Sequence, residues 1–64
     1  MEFTHQAFMK VDRFDVVIGD QVAINWRDYT NSEIGYVNGR TGDTHTIKMD
    51  DFHRIFRKLK ADEL

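Results

Sequence analysis

Sixty-four residues with no Cys and no Pro bound this chain to one small domain held by noncovalent contacts, which excludes disulfide scaffolds and thiolate metal centres. A domain of this size buries only about 60% of its unfolded surface, so its core must be efficient. The formal charge of −2 lacks the strong basic excess of a general nucleic-acid binder.

The N-terminal residues admit two patterns. Thr4 can cap a helix presenting Phe8 and Val11, with Phe3 and Ala7 near the same face. The alternation Phe3, His5, Ala7, Met9, Val11 fits a strand almost as well. A short helix or irregular arm over residues 1–13 is the preferred expectation. The apolar run Phe14-Asp15-Val16-Val17-Ile18 then ends at the turn pair Gly19-Asp20.

In QVAINWR (21–27), Val22, Ile24 and Trp26 alternate with Ala23, Asn25 and Arg27, the pattern of a half-buried strand with Trp26 inward. The polar stretch RDYTNSE is a loop, and Glu33–Val37 is the next strand, with Ile34 and Tyr36 inward. Two turn signals follow. Either the hairpin turns at Asn38-Gly39 with a bulge at Gly42, or NGRTGD forms one longer loop holding Gly42-Asp43. Thr44–Met49 is a strand on both views, with His45, Ile47 and Met49 on one side.

The C-terminal segment changes period. Phe52, Ile55, Phe56 and Leu59 fall at helical spacing, which predicts an amphipathic helix over residues 50–61. Asp50 or Asp51 can cap its start, and the cations Arg57, Lys58 and Lys60 suit its end. Gly35 within a strand permits close approach or the sharp curl that small barrels need.

Together, Gly19-Asp20-x-Val22-x-Ile24, Gly35-x-Val37 and Thr46-Ile47-Lys48 resemble the SH3-like small-barrel families: KOW modules, Tudor domains and retroviral-type integrase C-terminal domains. The resemblance spans residues 16–56 and is one of fold. It implies a mainly β, α+β domain: a curled antiparallel SH3-like sheet or barrel of three to five strands with a C-terminal amphipathic helix. The division is an arm over 1–13, a β meander over 14–49 and the helix over 50–61 of a single domain. The helix departs from the short final strand that these barrels usually carry. No Tudor aromatic cage is marked by spacing, although Trp26, Tyr29 and Tyr36 are candidates for one. The resemblance implies a binding module and leaves the ligand open.

Catalytic signals are sparse. Ser32 is the only Ser and has no His nearby in sequence, and Asp50-Asp51 reads as a helix cap. The spacing of His5, His45 and His53 matches no metal-ligand frame, and NGRTGD lacks the Gly-Lys-Ser/Thr of a phosphate loop. No enzyme activity, cofactor or metal is therefore expected.

Two surfaces remain. Trp26, Arg27, Tyr29 and Tyr36 combine the residue types of protein interfaces and of base stacking. Arg54, Arg57, Lys58 and Lys60 lie on the helix side away from Phe52 and Phe56, suited to phosphates or an acidic protein surface. The expected function is a non-enzymatic accessory or inhibitory factor, of the kind phages encode, docking on a larger protein or nucleoprotein complex. Direct DNA or RNA binding through the basic helix is the alternative. Self-association into a homodimer would supply stability that so small a core lacks. No apolar run approaches the roughly 20 residues of a membrane span. MEFTHQAFMK lacks the features of a secretory leader, so the C-terminal KADEL reads as a chance match to a retrieval tail. The cytoplasm is the expected location.

Overall fold

The computed structural model describes residues 2–59; Lys60, assigned above to the basic surface, lies outside them. Five strands form one antiparallel sheet: β1 (His5–Ala7), β2 (Gln21–Asp28), β3 (Glu33–Asn38), β4 (Thr44–Lys48) and β5 (Phe56–Lys58). Their order is β4-β3-β2-β1-β5, so β4 and β5 are its two ends and the sheet is not closed into a barrel. One helix, α1 (Met49–Ile55), joins those end strands. No helix among the described residues is long and apolar enough to cross a membrane.

The N-terminal expectation is corrected: β1 is an interior strand, paired with β2 on one side and β5 on the other. His5 and Ala7 are buried while Gln6 is exposed, so the strand alternation prevails over the helical spacing. Two neighbouring strands satisfy the β1 backbone, which an isolated helical turn could not match.

The C-terminal expectation is corrected as well. The helix ends at Ile55, and Phe56 has extended backbone angles of φ −115° and ψ 145°. Phe52 and Ile55 use the helical period to reach the core, and Phe56 reaches it from the first position of β5. Its register opposite Ala7 gives β1 its second partner, which a continued helix would leave unpaired. Neither Asp50 nor Asp51 caps the helix. The Ncap is Lys48, without a side-chain hydrogen bond, and the two acids lie in the first turn, where they suit the helix dipole.

The central hairpin resolves the two turn alternatives. Asn38 is the last residue of β3 and fully buried, and Val37 pairs with Thr44. The intervening residues form one longer loop, closed by Gly42 N–H donating to the Asn38 carbonyl at 2.7 Å and Asn38 N–H donating to Asp43 at 2.9 Å. Gly42 supplies the left-handed residue, with φ 79°.

Nine buried apolar side chains form the core, with Tyr36, Phe52 and Phe56 the largest. Phe52 and Phe56 lie 4.7 Å apart, and Phe56 meets the Tyr36 ring edge-on at 5.2 Å. Each such ring contributes on the order of 2–3 kcal/mol by burial, a large share of the stability of a small domain.

Candidate functional site

β2 controls which aromatic groups reach solvent. Ile24 pairs with Tyr36 and Trp26 with Gly35, so Asn25 is an extra residue forming a β-bulge. The bulge reverses the alternation and turns Trp26 to the outer face of the sheet. Its expected place in the core is thereby corrected, and the indole is 45% exposed. The indole lies directly over Gly35, where a Cβ would overlap the Cε2 and Nε1 atoms. Gly35 thus serves a close approach of a side chain. Asn25, Trp26, Thr44 and Thr46 line a shallow cleft of about 120 Å³ on this face. Tyr29, in the turn leaving β2, is 74% exposed.

Tyr36 also borders this cleft but exposes no surface. It is fully buried, and burial followed by the charge of Asp20 pushes its hydroxyl up to about 12. Arg27 also separates from Trp26: it pairs with buried Ile34 and belongs to the opposite face. Of the four residues expected at an aromatic docking surface, the structure leaves Trp26 and Tyr29 on one outer end.

The basic residues do not share a helix face either. Arg54 is on α1 and binds Asp51 at 2.7 Å. Arg57 and Lys58 are consecutive in β5 and so alternate in direction. Arg57 stacks on the exposed Phe8 ring at 4.1 Å. Lys58 is the cross-strand partner of His5.

His5 is the centre of a cluster that sequence reasoning missed. Its ring is only 7% exposed and meets Phe52 edge-on at 5.0 Å. Thr4 Oγ1 lies 2.8 Å from its Nδ1, and the His53 ring is 6.3 Å away. Burial, then His53, Arg27 and Lys58 in turn, hold the imidazole below its ordinary value. Four elements therefore bring like charges together: β1, β2, α1 and β5. The only advance signal was the inward phase of His5 in the alternation Phe3, His5, Ala7.

Around Asp20, just before Val22, the cross-strand partner of His5, opposite charges are paired. The Asp20 side chain is 3% exposed and accepts hydrogen bonds from Arg40 Nε at 2.7 Å, Asn38 Nδ2 at 3.0 Å and the Val17 amide at 3.0 Å. Burial alone would raise the Asp20 carboxyl, but these bonds outweigh it and hold the group below its usual range. Arg40 also donates to the Asp15 carbonyl, tying the loop before β2 to the loop after β3. This network secures loops. Among the described residues, no three His, Asp or Glu side chains converge as metal ligands.

Comparison of the chain with family profiles, characterised proteins and solved structures finds no match.

Proposed function

We propose that this is a non-enzymatic SH3-like binding module that docks on a larger protein through the outer end of β2, with Trp26 and Tyr29 as anchors. The observation that carries the proposal is the exposure of these two aromatics, 45% and 74%, while Tyr36, Phe52 and Phe56 are buried. Large exposed aromatics beside hydrogen-bonding side chains are typical of interface hot spots. Asn25, Thr44 and Thr46 are the polar groups at hand. The SH3-like reading draws support from β5, the short final strand that such barrels carry, and from the β-bulge at Asn25. This reading takes the module as an accessory or inhibitory factor acting in the cytoplasm.

The test is affinity capture from a cell lysate, with and without nuclease, using the wild type and Tyr29→Ala. Tyr29 is so exposed that its truncation leaves the fold intact. A protein retained after nuclease and lost with Tyr29→Ala is the expected result. Capture abolished by nuclease would overturn protein docking. It would favour the second reading, direct nucleic-acid binding, which the cationic rim around His5 supports.

A further inference from the structure

We propose that the rim formed by His5, Arg27, His53 and Lys58 binds an oxyanion of the phosphate class. The inference goes beyond protein docking at Trp26 and Tyr29 and uses different side chains.

Charges in this fold are treated unequally. Among the described residues, Lys10, Arg13, Arg40, Lys48 and Arg54 each make an ion pair with Asp or Glu. Arg57 stacks on Phe8. Arg27 and Lys58 do neither, and the strand register places both on the same face of the sheet as His5, with Lys58 directly opposite it. Among the described residues, no carboxylate forms an ion pair with either of them. Glu2 lines a shallow cleft with Thr4 and Lys58, yet forms no ion pair with Lys58. Gathering two fixed cations and two imidazoles without an anion works against folding, because like charges repel most where water is partly excluded. Perturbed groups gathered in this way mark functional sites.

The chemistry of the donors selects the ligand. Arg27 supplies a planar fork suited to two oxygens of one phosphate, and Lys58 supplies a compact positive charge. Thr4 Oγ1 engages His5 Nδ1 at 2.8 Å, and when the hydroxyl is the donor the neutral ring carries its proton on Nε2 and remains a donor. An oxyanion bound there neutralises the two fixed cations, Arg27 and Lys58. A cation would meet only like charge.

The experiment is a titration of the full chain with inorganic phosphate at low ionic strength, followed by nuclear magnetic resonance against chloride of matched ionic strength. The site predicts saturable, phosphate-specific shifts centred on His5, His53 and Lys58. Arg27→Gln and Lys58→Gln should each weaken binding about fivefold to tenfold, the loss of one charge-assisted contact at a partly exposed site. Lys10→Gln, at a distant paired base, should bind as the wild type does. Arg27 and Lys58 are exposed, so both variants keep the fold, which their unliganded spectra verify. Tyr29→Ala should leave the titration unchanged, which separates failure here from failure of the docking proposal. A short single-stranded oligonucleotide and a phosphoserine peptide, titrated separately, distinguish a phosphodiester from a phosphomonoester source. Shifts no larger in phosphate than in chloride, or full affinity in both Gln variants, would overturn the site.

Discussion

Two charged regions at different places in one small sheet follow opposite rules. Around Asp20, a buried carboxylate meets Arg40, Asn38 and a backbone amide, and each charge has its partner. Around His5, an imidazole of similar burial meets Arg27, His53 and Lys58, all of one sign. The first arrangement fastens the loops flanking β2 and β3, and its electrostatics favour the folded state. The second opposes folding and persists because Phe52, Ala7 and Phe56 hold β1 in place by packing. The difference teaches that charge placement here has separate purposes, stability at one place and readiness for an anion at the other.

The largest effect removes the packing that tolerates the cationic rim. Phe56→Ala should cost about 3–5 kcal/mol, because its ring contacts Tyr36 and Phe52 and its backbone pairs with β1. Denaturant or thermal unfolding followed by circular dichroism measures this, and the variant should be largely unfolded near room temperature. Next comes the paired region. Asp20→Ala should cost roughly 2–4 kcal/mol, since it orphans the buried Asn38 amide and frees Arg40. A smaller loss, about 1–3 kcal/mol, is expected for Gly35→Ala, whose Cβ displaces the Trp26 indole. That variant should also raise indole exposure, read as a red shift of tryptophan fluorescence.

The smallest effect has the most telling sign. Lys58→Glu should stabilise the fold by about 0.5 kcal/mol at low salt, the size of an exposed ion pair, and added salt should erase the gain. Acidic residues are thus expected to help at one cluster, and their loss to harm the other. The pH dependence separates the two regions further. The folded His5 imidazole sits below its unfolded value of 6.5, so below that pH the unfolded chain binds the extra proton. Stability contributed by neutral His5 is full above pH 6.5 and falls as the pH drops from there toward the folded value. Asp20 is also depressed, so its contribution is full above the unfolded value of 3.8 and is lost as the pH falls through the lower folded value. Melts across pH 8 to 5 should therefore show the His5 loss, and Lys58→Glu should lessen it, the burial of the ring remaining.

Much of this architecture was legible in the chain. The strands β2, β3 and β4 follow from alternation and from β-branched and aromatic content, and Phe52 and Ile55 declare a helix turn by spacing. Trp26 was misplaced because alternation holds only while the register holds, and nothing about Asn25 marks it as a bulge. Phe56 was assigned to the helix because i+4 from Phe52 is also where an inward strand residue falls after the helix ends. Tyr36 was correctly expected inward, which conflicts with a role in docking. The rim around His5 was not legible: its residues come from four elements far apart in sequence, and only the sheet order brings β1 between β2 and β5.

The most direct test of the account is the pKa of His5, measured from its ring-proton shifts in chloride buffer. A value below 6.5 is predicted, rising in Lys58→Glu as the like charge is reversed. A value at or above 6.5 would mean that the imidazole is neither desolvated nor crowded by cations, and would contradict the central contrast between the two regions.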